Sequence, residues 1–315
     1  MLYYENENGR LYKGDCLDIM DKLIDEGVKV DAIICDPPYG TVKSIANSNK
    51  IKHGMKNKTE WDEIIPIQPM FDKCEKLLRE GGACVLFGQE PYTSDLIKNQ
   101  HNNLPFSYRN IWLKDHFANA LTAKKAPLNY YEDITVFFRK YDIYNENPLR
   151  SYFLEIMNYI GLNLKQINKK IGHRKAEHCF YIKSTQFKLC TKYVYNELID
   201  VFAIHNMDGF MNYEELLKIN NKYIQTFNLW EGNKYKSNVF QYKKDYDGFH
   251  STQKPVLLIE DLIKTYTNEG ELILDFTSGS STTAVACENT NRKWICIEKE
   301  DKYCEISKNR IMKEV

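Results

Sequence analysis

Charge of one sign is the first thing this chain does without. Across 315 residues, 43 Lys and Arg face 43 Asp and Glu. That balance excludes a global basic field, so any nucleic-acid surface must come from local clustering. Paired cysteines are also missing: nine are scattered with no C-x-x-C spacing. Neither a zinc site nor a disulfide framework is therefore expected, and free thiols suit a reducing, cytoplasmic setting. No apolar run reaches membrane length and no secretory leader is read, so no membrane partner is expected. The G-x-G-x-x-G fingerprint of dinucleotide-binding folds is absent too.

What is present begins with Asp36-Pro37-Pro38-Tyr39, directly after the apolar run Val30-Asp31-Ala32-Ile33-Ile34-Cys35. The run predicts a buried strand, and in open α/β sheets ligands bind beyond the carboxyl ends of strands. Proline fixes φ and offers a carbonyl without an amide proton. A flat, electron-poor amine such as adenine N6 needs two acceptors and a ring to stack on, and this tetrapeptide can supply all three. The same four residues also serve as an ordinary strand-to-turn exit, so a second signal is needed.

That signal lies far downstream. Leu272 to Phe276 reads as a short buried strand, Thr277 to Thr283 as a small-residue turn, and Ala284 to Asn289 as a helix. Strand, turn and helix form the cofactor-cradling unit of a doubly wound sheet. The next strand, Trp294 to Ile297, ends in Glu298, about 20 residues after the turn, where an acidic residue takes ribose hydroxyls.

Between these signals the chain alternates strand and helix. Asp15 is expected to cap a helix through Leu23, and Gln68 to Arg79 to form an amphipathic helix ended by Glu80-Gly81-Gly82. Ala83 to Phe87 reads as a strand, and the parallel βαβ rhythm is expected to continue through Ile111-Trp112-Leu113 and Ile134 to Phe138. The polar stretch Thr41 to Glu60 reads as a loop beside the tetrapeptide. After Asn145 the rhythm stops. Helices are expected over Ser151 to Ile160, Leu164 to Ile171, Lys175 to Tyr181 and Thr191 to Phe202, which suggests a helix-turn-helix-like module. Lys165, Lys169, Lys170, Arg174, Lys175, Lys183, Lys188 and Lys192 cluster here, opposed between them by Glu177 alone. Such cationic charge binds phosphate, while amide and guanidinium groups can read base edges. A solvated helical insert used for dimerisation is the plainer alternative. The expected division is 1–146, 147–231 and 232–315.

Taken together, the segments resemble the S-adenosylmethionine-dependent DNA amino-methyltransferases. The likeness is to the permuted group, in which the catalytic D-P-P-Y precedes the cofactor loop, and to its phage- and prophage-borne members. It covers roughly residues 9 to 145 and 235 to 312. The matching blocks are Leu11 to Leu17, Asp36 to Gly40, His250-Ser251-Thr252-Gln253-Lys254-Pro255, and Asp275 to Thr283 with Glu298. The resemblance implies a Rossmann-like class I methyltransferase sheet with a mainly helical target-recognition insert. It implies catalytic roles for Asp36, Pro37, Pro38 and Tyr39. Cofactor contacts would fall to Asp15, Cys16, Asp36, Lys254, Asp275, Thr277, Gly279, Ser280 and Glu298. Phosphate contacts would fall to Lys165, Lys169, Lys170, Arg174, Lys175 and Lys183, with no metal. Aspartate at position 36 usually accompanies adenine in this family, so N6-adenine methylation of double-stranded DNA is expected, with N4-cytosine methylation as the runner-up. A two-fold dimer and a cognate restriction endonuclease are left open. One departure matters: Ser281 stands where the family pattern has Gly, at a point where positive φ and close backbone approach are useful. It either weakens cofactor binding or is accommodated where the helix begins. Were binding weak, the chain would be a DNA-binding protein on a methyltransferase scaffold.

Overall fold

The computed structural model describes residues 1–40, 63–118, 123–140, 147–221, 223–229, 234–245, 249 and 253–313. Along the chain these form β1 (Leu2–Glu5), β2 (Gly9–Lys13), α1 (Cys16–Asp25), β3 (Val30–Cys35), α2 (Ile67–Leu77), β4 (Leu78–Gly88), α3 (Tyr92–Lys98), β5 (Phe106–Ala118) and β6 (Asn129–Phe138). There follow α4 (Pro148–Ile160), α5 (Leu164–Ile171), α6 (Lys192–Phe202), α7 (Tyr213–Asn221), β7 (Val239–Gln241), α8 (Val256–Tyr266), β8 (Leu272–Asp275), α9 (Thr282–Asn289), β9 (Lys293–Glu298) and α10 (Asp301–Met312). The chain divides into two compact units, Met1–Arg139 with Gln225–Val315, and Lys140–Ile224. No described helix is long and apolar enough to cross a membrane.

The first unit is built on one sheet with strand order β1-β2-β9-β8-β3-β4-β6-β5-β7. Its central strands are buried on both faces, which is why they read as continuous apolar runs. Alternation along β3 sends Ala32 and Ile34 to one face and Ile33 and Cys35 to the other. The first face is covered by Leu258, Ile259 and Leu262 of α8, Ala284 and Cys287 of α9, and Cys304 and Ile311 of α10. The second is covered by Ile19, Met20 and Leu23 of α1 and by Met70, Phe71, Cys74 and Leu77 of α2. Helices on both faces make the fold doubly wound, as expected. From β3 the chain proceeds to β4 on one side, and from β8 to β9 on the other. The switch point, where such sheets open a crevice, therefore lies between β3 and β8.

Two expectations about the sheet are corrected. The parallel rhythm does not continue past β4: β6 pairs antiparallel with β4 (Val85↔Val136) and with β5 (Ile111↔Asp133). Antiparallel strands need only a short connection, whereas a parallel return needs a crossover of about a dozen residues or more. The second correction concerns residues 78–82. The helix stops at Leu77 and the strand starts at Leu78, before the glycines. Leu78 pairs with Val30, but the next pair is Ala83 with Ala32. The residues between bulge out of the ladder, with Gly81 at φ 67°. This bulge gathers contacts from distant segments. Arg139 exchanges backbone bonds with Gly81 and Gly82, at 3.0 Å each. Arg79 donates to Thr226 Oγ1 at 3.1 Å and pairs with Asp31 at 2.8 Å.

The second unit is helical with a core of its own. Asn147 caps α4, an Asn163–Gln166 capping box opens α5, and Thr191 caps α6. Gly161 and Gly172 close α4 and α5 in the left-handed conformation. Leu149, Phe153, Ile156, Ile167, Val194 and Leu198 are buried together. The expected helix over Lys175 to Tyr181 is a single 3₁₀ turn, Glu177–Phe180. Its bonds run from Cys179 N–H to the Ala176 carbonyl, one residue shorter than an α-helix requires.

Gly9 of β2 pairs with Trp294 of β9. A Cβ there would lie 2.2 Å from the Trp294 ring and 2.4 Å from its carbonyl oxygen. Trp294 is fully buried and cannot move aside. Gly9→Ala is expected to cost about 1–3 kcal/mol through overpacking, seen as a lower urea midpoint. An unchanged midpoint would show that the pairing tolerates a side chain.

Candidate active site

A cavity of about 1000 Å³ opens at the carboxyl ends of the central strands. Its wall includes Asp36 after β3, Asp275 at the end of β8, Glu298 at the end of β9, and Asp15 after β2. Each carboxylate is there because its strand ends there.

Asp36 is the most constrained of them. The Tyr39 hydroxyl donates to Oδ1 and the Lys254 ammonium to Oδ2. Its backbone carbonyl accepts from the Thr277 hydroxyl at 3.1 Å, which ties the tetrapeptide to the turn after β8. Burial pushes the Asp36 carboxyl above its ordinary range; Lys254 opposes this and Glu132 adds to it. Pro37 is buried, while Pro38 and Tyr39 are half-buried at the cavity wall. The Tyr39 ring stacks on Tyr92 of α3 at 5.6 Å and 29°.

Lys254, expected on the cofactor side, has its ammonium between Asp36 and Glu132 Oε2, the latter at 3.1 Å. Glu132 Oε1 in turn meets Lys114 Nζ at 2.5 Å. Sequence reasoning missed Lys114 and Glu132. The available signal was a charged residue close beside each of two apolar runs, Ile111 to Leu113 and Ile134 to Phe138. The register that brings these strands together, Trp112 opposite Glu132, is visible only in the fold.

The turn after β8 is held from several sides. Asp275 accepts from Thr283 Oγ1 at 2.6 Å and from the Thr277 N–H at 3.1 Å. Burial lifts its carboxyl to about 6. Arg310 donates to the Ser280 carbonyl at 2.6 Å, and Ser307 to the Gly279 carbonyl at 3.0 Å. Glu298 accepts from the Glu300 N–H at 2.8 Å, and burial raises it to about 7. Asp15 caps α1 through the Leu17 N–H at 2.9 Å. The neighbouring Cys16 thiol is pushed up to about 12 by burial, and Cys35 is raised by burial as well. Neither is thereby suited to act as a thiolate nucleophile.

His250, Ser251 and Thr252, and the stretch Thr41 to Glu60, lie outside the described residues. In the second unit, Lys165, Lys169, Lys170, Arg174, Lys175 and Lys183 are exposed on α5 and the turns after it. Arg174 pairs with Glu177 at 2.7 Å. Among the described residues no cluster of three His, Cys, Asp or Glu side chains is placed to hold a metal.

Ser281 adopts φ 55° and ψ 45°, left-handed backbone that a side chain disfavours. The residue is fully buried and its hydroxyl donates to Ser278 Oγ at 3.2 Å. The position therefore keeps the conformation glycine would adopt, at a local cost. Ser281→Gly should leave stability within about 1 kcal/mol of wild type or raise it, relieved strain offsetting added chain entropy. Ser281→Val should cost about 1–3 kcal/mol, since a β-branch meets the same backbone without the hydroxyl. Thermal unfolding of the two variants checks this, and equal effects would sink the conformational account.

The family model for DNA methylases of the N6/N4 type matches residues 30–309. Over 311 residues the chain is 36% identical to the Type II methyltransferase M2.LlaDCHI of Lactococcus lactis subsp. cremoris, covering 99% of this chain and 92% of that one. It is 24% identical to the Type II methyltransferase M.BamHI of Bacillus amyloliquefaciens over 98% of this chain, and spans 58% of that relative's length. Among solved structures, the M1.HpyAVI-SAM complex matches with a TM-score of 0.55 at 19% identity, covering 96% of this chain and 98% of that one. The cytosine-N4-specific PvuII DNA methyltransferase matches with a TM-score of 0.51 at 14% identity, covering 98% and 87%. These two likenesses concern the fold; the sequence matches go further, and the chain belongs to the N6/N4 DNA methylase family.

Proposed function

We propose that this chain is a site-specific DNA adenine N6-methyltransferase that uses S-adenosylmethionine. The observation that carries the reading is the convergence of Asp36, Pro37 and Tyr39 with Asp275 and Glu298 on one cavity at the switch point of the sheet. The donor set fits the cofactor. Burial raises the proton affinity of Asp275 and Glu298, and a ligand bearing an ammonium and ribose hydroxyls would satisfy carboxylates at those places. In this reading Glu298 holds the ribose, Asp275 lies near the ammonium, and Asp15 with the Cys16 backbone faces the adenine. Thr277, Gly279 and Ser280 line the approach. When bound, the cofactor supplies an electrophilic methyl group on its sulfonium.

The chain's own part is to prepare the amine. The N6 lone pair is delocalised into the adenine ring, so the free amine is a poor nucleophile. Asp36 and the Pro37 carbonyl accept its two hydrogens and favour a pyramidal nitrogen, a positional and electrostatic contribution. Tyr39 stacks on the base, which has to leave the duplex to reach the cavity. The Tyr39 hydroxyl now on Asp36 Oδ1 gives way to the amine. Asp36, whose affinity for a proton burial raises, takes the proton the product nitrogen sheds. The exposed cations of α5 and its following turns supply phosphate affinity and the second unit supplies target recognition.

Two results are expected. In a methylation-free host expressing the chain, modification-sensitive sequencing should find N6-methyladenine at one short motif, and the signal should vanish in Asp36→Ala. N4-methylcytosine in a nucleoside digest would replace the adenine reading by its runner-up. Soluble protein that binds DNA without modifying it would favour the scaffold reading. The second result concerns pH. Glu298 carries its proton below about 7 in the free protein, and the charged form is the better acceptor for two hydroxyls. Cofactor affinity measured by calorimetry should therefore fall about tenfold from pH 8 to pH 6. Glu298→Gln should bind more weakly and lose that component of the pH dependence.

A further inference from the structure

Lys254 is a buried cation with two acidic partners, and one of them, Glu132, has no part in the roles set out above. The four charges alternate in a line: Lys114, Glu132, Lys254, Asp36. They come from β5, β6, the segment before α8, and the tetrapeptide after β3. The Lys254 side chain is 6% exposed and that of Glu132 13%. Lys254 also lies over the Phe87 ring at 5.1 Å and the Tyr39 ring at 6.0 Å. The Lys254 ammonium is an ion-pair partner of Glu132 Oε2 at 3.1 Å and donates its hydrogen bond to Asp36. It meets Oδ2 and leaves Oδ1 to Tyr39.

Resting on the methyltransferase reading, we infer that Glu132, backed by Lys114, is a positioning residue: it anchors Lys254 on Asp36 Oδ2, so that Oδ1 is the oxygen presented to the target amine. The two partners act on Asp36 in opposite directions. Lys254 favours its charged form and Glu132 opposes it. Among the described residues, the other groups acting on Asp36 or acted on by it are Tyr39 and Cys35 on its own segment, Tyr92 on α3 and Asp275 on β8. Lys114 reaches it through Glu132. Removing either partner therefore changes the same carboxyl with opposite sign, a signature that loss of packing does not produce.

The test reads that carboxyl directly. The Asp36 side chain is titrated by carbon NMR in the cofactor-free protein, assigned with Asp36→Asn, in wild type, Lys254→Gln and Glu132→Gln. The midpoint should rise by at least about one pH unit in Lys254→Gln and fall in Glu132→Gln. The acid limb of kcat should move with it. In Glu132→Gln kcat should drop at least about tenfold with KM for the cofactor little changed, as for a group acting only in the transition state. Glu132→Asp should recover part of the loss. Midpoints that stay put, or move in the same direction in both variants, overturn the inference, whatever happens to turnover. If they move as expected while wild type methylates no DNA, the electrostatic inference stands and the methyltransferase reading falls.

Discussion

One adjacency in the sheet governs the site: β8 lies directly against β3, with Ala32 opposite Ile273 and Ile33 opposite Leu274. Thr277 and Asp36, hydrogen-bonded across this junction, are 241 positions apart in sequence. Both strands are buried on both faces, so a slip by one residue would turn apolar side chains against their neighbours' spacing and is strongly disfavoured. The approach of the tetrapeptide to the small-residue turn is thus set by the core rather than by the loops themselves. Reactions that depend on placing two partners within a few tenths of an ångström need such a base.

Much of this was legible because the signals were local. Asp15 before an apolar periodicity announced α1, Leu164 to Ile171 read as the helix α5, and Leu272 to Glu298 spelled out strand, turn, helix and strand. What stayed hidden depended on pairing. Nothing local distinguishes a parallel from an antiparallel β6, and the bulge at 78–82 exists only because Val30 and Ala32 find partners on either side of it. The same holds for the ion pairs. Lys114 and Glu132 fall outside the runs Ile111 to Leu113 and Ile134 to Phe138 and meet only through the register of β5 with β6, and Lys254 acquires its partners from two other segments. Tertiary electrostatics leave little trace in a single sequence.

Both the buried charges and the left-handed Ser281 are local expenses. A buried ion pair repays its desolvation only with good geometry and further hydrogen bonds, and apolar replacements are often at least as stable. Strained backbone persists only where its surroundings over-determine it. Here Ser281 is enclosed, and the turn before it is held by Arg310 and Ser307. The charges line the cavity and Ser281 sits between two residues that do, where local rules are most often broken for the sake of a site.

The bulge at residues 78–82 bears on how such a chain could change. It holds Arg139 by two backbone bonds and Thr226 through Arg79, so the points where the first unit releases the chain and takes it up again share one anchor. The first unit's sheet is complete without any strand from the second, whose core is its own. An exchange of everything between those anchors, by recombination or by design, would leave every strand pairing of the chemistry-bearing sheet in place. The second unit could then diversify like a cassette, with the sheet and its cavity inherited unchanged.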